Sequence, residues 1–147
     1  MKIYTTSSWR NPFYDDIVHL LKMGGHEVYD FRSTISTEGK TVAFNWDQID
    51  PDWENWTPEE FDVGIRHPLA KNAFHADFEG MNNADVCVLI LPSGKSAHIE
   101  AGYMKGLGKK LYILMLTKDR PELTYSIADK IFGSFWELSL ELQKEVQ

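Results

Sequence analysis

Six consecutive apolar residues, Val86-Cys87-Val88-Leu89-Ile90-Leu91, stopped by Pro92-Ser93-Gly94, constrain the fold more than any other stretch of the chain. A run this short, rich in β-branched and aliphatic residues and without polar alternation, reads as a strand buried on both faces, hence mid-sheet in a parallel α/β architecture. The small-residue segment that follows, with Ser96, Ala97, Ala101 and Gly102, predicts a helix beginning close to the strand's carboxyl end. Glu100 falls near the first turn of that helix, where the macrodipole favours a carboxylate. Open parallel sheets bind ligands in the crevice outside the carboxyl ends of their central strands. Glu100 is therefore either a nucleophile in that crevice or a solvent-exposed first-turn glutamate.

The rest of the chain supplies partners for such a strand. Lys2 to Thr6 predicts a first strand, followed by a polar loop to Asn11-Pro12, a plausible helix cap and first helical position. Phe13, Ile17, Leu20 and Leu21 recur at helical spacing up to Gly24-Gly25, which stops the helix. His26 to Phe31 is the second strand, so the opening is a strand, helix, strand unit of the doubly wound type. Leu111 to Leu116 predicts a further strand. Beyond it come a loop from Thr117 to Arg120, a helix from Pro121 to about Asp129, and a short Ile131-Phe132 segment. A last helix is capped by Ser134 with Glu137 three residues on, and Phe135, Leu138 and Leu142 dock it. The predicted fold class is α/β: one flavodoxin-like, Rossmann-like three-layer domain over residues 1–147 with a mostly parallel, doubly wound sheet.

Two stretches depart from this rhythm. Ser33 to Asn55 is polar and aperiodic, with Phe44 and Trp46 inside it and Trp53 and Trp56 at its end. Such a loop either stacks over a planar ligand or folds its aromatics into a satellite core. Its acids Asp47, Asp50, Asp52 and Glu54 match no calcium-loop spacing and read as solvated loop charges. Thr57-Pro58-Glu59-Glu60 then starts a short helix to about Arg66 with a capping box. From His67-Pro68 to Asn82, Ala70, Phe74, Asp77, Phe78 and Met81 form one helical stripe. Asp77 on that stripe must be hydrogen-bonded, paired or used, because a bare buried carboxylate is costly.

Composition narrows the function. A length of 147 residues with 43% hydrophobic residues suits one ordinary core. The net charge of -7 gives no basic field for a nucleic-acid polymer or an anionic membrane, so small ligands are the expected partners. Cys87 is the single cysteine and lies in the apolar strand, which excludes an intrachain disulfide. No apolar signal region or membrane-length stretch is present, and the expected compartment is the cytoplasm. Gly94-Lys95-Ser96 is not a nucleotide-triphosphate loop, since Leu89 stands where that motif needs its first glycine. Ser93 to Ala97 still offers N–H groups at a helix start, suited to a phosphate, a carboxylate or a sugar hydroxyl. His98 and Glu100 diverge on a helix at that spacing. With strand order 2-1-3-4-5, the end of the Tyr4 strand falls beside the Glu100 turn, so Tyr4 is either its hydrogen-bond partner or a core tyrosine.

Together these residues resemble the nucleoside 2-deoxyribosyltransferase family and its relatives that hydrolyse deoxynucleoside monophosphates. The resemblance rests on Ile3-Tyr4 before a small polar loop with Ser7 and Trp9, Asp77-Phe78-Glu79-Gly80-Met81 ahead of Asn83-Ala84-Asp85, and Glu100-Ala101-Gly102-Tyr103. It implies Glu100 as nucleophile at the anomeric carbon, Asp77 as a second carboxylate assisting proton transfer, and Tyr4 orienting Glu100. It also implies substrate contacts from Ser7, Trp9, Ser93, Gly94, Ser96 and His98, no metal or other cofactor, and a homo-oligomer. The expected partners are a deoxynucleoside or deoxynucleotide and a nucleobase. Where transferases of the family commonly carry an aspartate six residues before the nucleophile, this chain has Gly94, which leaves base choice open. Transfer to a second base is the leading expectation, with hydrolysis of 5′-monophosphates as the alternative. A non-catalytic nucleotide-binding module is the rival of another class.

Overall fold

The computed structural model describes residues 1–32 and 44–147. Two compact units emerge, one formed by Met1–Asp30 with Met81–Gln147 and the other by Phe31–Gly80. The part of the expected aromatic loop within 33–43 lies outside the described residues.

The first unit is a parallel sheet of five strands in the order β2-β1-β3-β4-β5. These are β1 (Lys2–Thr6), β2 (Glu27–Tyr29), β3 (Val86–Leu91), β4 (Lys110–Met115) and β5 (Lys130–Phe132). All six residues of β3 are buried, as its unbroken apolar run requires of a strand with neighbours on both edges. Its register sets Tyr4 beside Cys87, while Tyr4 also pairs with Tyr29 and Cys87 with Leu111. One row of side chains thus crosses the sheet. Tyr4 stacks on Tyr29 with ring centroids 4.9 Å apart.

The helices are α1 (Tyr14–Met23), α2 (Pro58–Gly64), α3 (Pro68–Asn83), α4 (Lys95–Gly106) and α5 (Phe135–Val146). Helix α1 buries Tyr14, Ile17, Val18 and Leu21 and ends at Gly24-Gly25, where Gly25 has φ 86°. The Ser134 hydroxyl accepts from the Glu137 N–H at 3.3 Å, and Leu138 and Leu142 anchor α5. These are the α/β class and strand order expected.

Two local expectations are corrected. Helix α1 starts at Tyr14, later than Asn11-Pro12 predicts; the Asn11 carboxamide oxygen still accepts from the Phe13 N–H at 2.8 Å, while its nitrogen reaches the end of β3. No helix runs from Pro121 to Asp129. A 3-10 turn over Leu123–Ile127 stands there, with Leu123 86% exposed, so the segment has no apolar face to hold a longer helix. Asp129 then donates its N–H to the Leu111 carbonyl and accepts from the Leu111 N–H, drawing the chain into β5.

In the second unit the expected Thr57 cap forms, its hydroxyl accepting from the Glu60 N–H at 3.2 Å and donating to the Glu60 carboxylate at 3.2 Å. Phe44, Trp46 and Trp56 pack on one another and on Phe61. Trp46 meets Phe44 and Trp56 edge-on at 4.8 and 5.7 Å, and Trp56 meets Phe61 at 6.4 Å. The Trp56 indole donates to Asp50 at 2.7 Å, which holds that carboxyl below its usual range. Gly64 faces this indole, and a Cβ there would lie 2.4 Å from its ring carbons. These rings contact one another without being buried, Phe61 being 54% exposed.

Candidate active site

Helix α4 leaves β3 through a three-residue turn, Pro92-Ser93-Gly94, and turns Ala97, Ala101 and Met104 onto the sheet. Glu100 shares that stripe, since 97, 100, 101 and 104 follow helical spacing. The Tyr4 hydroxyl donates to Glu100 Oε2, and the tyrosine is 1% exposed. The Ser96 hydroxyl, one helical turn back, donates to Oε1 at 3.3 Å. Hydrogen bonds to an ionised acceptor are roughly twice as strong as neutral ones. The half-buried carboxylate is thus held on Oε2 by Tyr4 and on Oε1 by the longer Ser96 bond.

Because Gly94 is the N-cap and α4 begins at Lys95, Glu100 lies in the second turn rather than the first. The dipole effect is concentrated on the first turn, so Tyr4 and Ser96 are its principal partners. Cys87, beneath this row, has its thiol pushed well up by burial and next by the negative charge of Glu100. It is a core thiol.

The turn itself carries Ser93, Gly94 and His98. His98 Nδ1 lies 2.7 Å from the Gly94 carbonyl oxygen, an acceptor only, so Nδ1 bears the proton in that contact. Nε2 lies 2.8 Å from the Tyr125 hydroxyl, and the two rings stack at 5.7 Å. The imidazole tethers the turn to the segment after β4. Gly94 supplies no side-chain cap, and a Cβ there would meet nothing within 4 Å. The first N–H groups of α4 are left to an outside acceptor.

On the other side of the β3 end, the loop after β1 brings up Ser7, Ser8, Trp9, Arg10 and Asn11. Ser7 donates to the Ile90 carbonyl at 2.7 Å, a structural bond that removes its hydroxyl proton from ligand contact. Trp9 is 53% exposed. Ser8, Arg10, Asn11, Pro92 and Ser93 line an open cavity of about 210 Å³. Arg10 and Asn11 were not among the expected contacts, and no periodic signal marks a loop cation whose place depends on a strand eighty residues away.

Asp77 is half-buried on α3, within the second unit. The expected stripe is uneven: Ala70 is buried, whereas Phe74 is 64% exposed and pairs with Phe78 at 5.7 Å. Among the described residues no group of three or more His, Cys, Asp or Glu side chains is arranged to hold a metal, and no helix is long and apolar enough to cross a membrane.

The fold is shared with solved enzymes. A 2-deoxyribosyltransferase from the psychrotolerant bacterium Bacillus psychrosaccharolyticus matches with TM-score 0.64 and 18% identity, over 95% of this chain and 90% of that one. A CMP N-glycosidase from Clostridium botulinum matches with TM-score 0.53 and 14% identity, over 97% of this chain and 99% of that one. No protein-family model matches the sequence. No curated protein matches it either.

Proposed function

We propose that this chain cleaves the N-glycosidic bond of a 2′-deoxynucleoside through a covalent deoxyribosyl-Glu100 intermediate and transfers the sugar to another nucleobase. The observation that carries this reading is the Tyr4 to Glu100 hydrogen bond at the carboxyl end of the sheet. The likeness in fold to a 2-deoxyribosyltransferase supports it. Glu100 Oε1 attacks the anomeric carbon as the bond to the base breaks, and the bonding electrons leave with the base, which takes up a proton. Tyr4 holds Oε2, the oxygen that becomes the ester carbonyl, and so keeps Oε1 aimed. A nitrogen of the second base then attacks the same carbon and frees the carboxylate. Two displacements at one centre retain its configuration, and each has a lower barrier than a single direct exchange. Asp77 is assigned proton transfer to and from the bases.

A second reading, hydrolysis of 2′-deoxynucleoside 5′-monophosphates, is favoured by a separate observation. The cavity between Ser8, Arg10 and Ser93 joins a guanidinium with no side-chain partner among the described residues to a helix start with no side-chain cap. That is the chemistry of a phosphate cradle. In this reading Ser93, Gly94 and Ser96 contribute with Arg10, and water replaces the second base.

Incubation with the four common 2′-deoxynucleosides and their 5′-monophosphates, with and without an acceptor base, separates the readings. Base exchange that needs the acceptor supports transfer. Base release without it supports hydrolysis. Ligand binding without any base release would leave the chain a nucleotide-binding module. The proposed assembly is a homo-oligomer, and the proposed compartment is the cytoplasm.

A further inference from the structure

The ladder between β1 and β3 ends at the Thr6 and Leu89 pair, yet β3 continues to Leu91. Beyond the last rung the carbonyls of Ile90 and Pro92 still need donors, because a buried backbone acceptor left unpaired is costly. Side chains of the departing loop supply them. Ser7 donates to Ile90 O at 2.7 Å, and Asn11 Nδ2 lies 3.1 Å from Ile90 O, 3.1 Å from Pro92 O and 2.8 Å from Ser7 Oγ. A carboxamide has two N–H groups, so three acceptors share them. Its oxygen accepts from the Phe13 N–H at 2.8 Å. Asn11 is 3% exposed, and every polar atom of its side chain is engaged.

This knot has a consequence for the cavity beside it. One wall is Ser8 and Arg10, held in a turn by Arg10 N–H to Ser8 Oγ at 3.2 Å and Asn11 N–H to the Ser8 carbonyl at 3.1 Å. The facing wall is Pro92 and Ser93, and Asn11 lies between them. Asn11 is bonded to both walls at once, its backbone N–H to the Ser8 carbonyl and its carboxamide to the Pro92 carbonyl, so a shift of the side chain changes the separation of Arg10 from Ser93.

We propose that Asn11 is a positioning residue that fixes this separation and thereby makes the site prefer a phosphorylated over an unphosphorylated deoxyribose. The inference rests on the phosphate-cradle reading above and adds to it the residue that sets the cradle's width. Asn11 touches no reacting atom. An aspartate has the same shape and keeps the acceptor for Phe13 N–H, but it turns a carboxylate oxygen toward the two carbonyls and pushes the walls apart.

The test titrates 2-deoxyribose 5-phosphate and 2-deoxyribose into the full chain, followed by NMR, for the unaltered protein, Asn11→Ala, Asn11→Asp, Arg10→Ala and Asn11→Ala with Arg10→Ala. The unaltered protein is expected to favour the phosphorylated sugar, and either Asn11 variant to lose at least tenfold of that preference. The double variant should bind no more weakly than Arg10→Ala alone, because an arginine out of place contributes nothing to lose. A general weakening of the fold would reduce affinity for both sugars by one factor and would multiply with the arginine loss. Either pattern overturns the proposal, as does a failure of the unaltered protein to prefer the phosphorylated sugar. If the Asn11 variants do not fold, Ser7→Ala, which removes one partner of the knot, is expected to show about a threefold selective loss, and an equal loss for both sugars overturns the proposal. The readout is binding, so a protein that shows the Asn11 pattern yet releases no base refutes the catalytic reading alone.

Discussion

The Tyr4 hydroxyl and the Glu100 carboxylate, ninety-six residues apart in sequence, are joined by a direct hydrogen bond. Strand order alone produces this meeting: β1 and β3 are neighbours, and α4, which follows β3, lies over both. A hydrogen bond to a charged group contributes about 1.5–3 kcal/mol, equivalent to about 10–150-fold in rate if it acts in the transition state. Tyr4→Phe is therefore expected to lower kcat/KM for base release by about 10–150-fold with its far-ultraviolet dichroism unchanged. Initial rates on the purified variant check this, and an undiminished rate would remove Tyr4 from the mechanism.

Gly64 is required by the face of Trp56, whose ring carbons lie 2.4 Å from where a Cβ would stand. Gly64→Ala is expected to displace the indole, strain its bond to Asp50, and destabilise the 31–80 unit by about 1–3 kcal/mol. Denaturant unfolding followed by tryptophan emission measures the loss. Trp9 and Trp136 belong to the other unit, so both proteins are compared in a Trp9→Phe, Trp136→Phe background, which leaves Trp46, Trp53 and Trp56 to report.

Asp129 links β4 to α4, accepting from the Leu111 N–H and from Lys105 Nζ, each at 2.8 Å. Partial burial pushes its carboxyl up, but the Lys105 bond and the Leu111 N–H more than reverse this, so it titrates below its usual range. A carboxyl depressed in the folded state stabilises fully above the unfolded value, about pH 4, and loses that contribution as pH falls through the folded value. Asp129→Asn is expected to cost about 1 kcal/mol at pH 7, discounted for exposure. The two unfolding curves should converge as pH falls below the usual carboxylate range. A gap that persists in acid would mean that the charge is not what matters there.

The parts of this fold that the sequence made legible are those set by local chemistry. The apolar run Val86–Leu91 needs no partner to be recognised, and the Thr57 and Ser134 caps lie within four residues of their donors. The strand order followed because a buried central strand and an opening strand, helix, strand unit leave few arrangements. What stayed hidden depends on long-range partners. Asn11 before Pro12 has the local form of a helix cap, and only the carbonyls of Ile90 and Pro92 reveal its use. Pro121 begins what reads as a helix, but Asp129 is pulled to β4 and too few residues remain. The place of Glu100 just after the central strand is legible from the sequence. That it shares the sheet-facing stripe of Ala97, Ala101 and Met104 was also readable from spacing, and that stripe is what brings it over Tyr4.

The central claim is a covalent bond between Glu100 and the sugar. The protein is mixed with a 2′-deoxynucleoside that it turns over, quenched in acid within milliseconds to seconds, digested and examined by mass spectrometry. The account predicts a deoxyribosyl ester on the peptide containing Glu100, absent from Glu100→Gln, with base release by that folded variant reduced about a thousandfold or more. Base release that continues undiminished in Glu100→Gln, with no modified peptide in either protein, would contradict it.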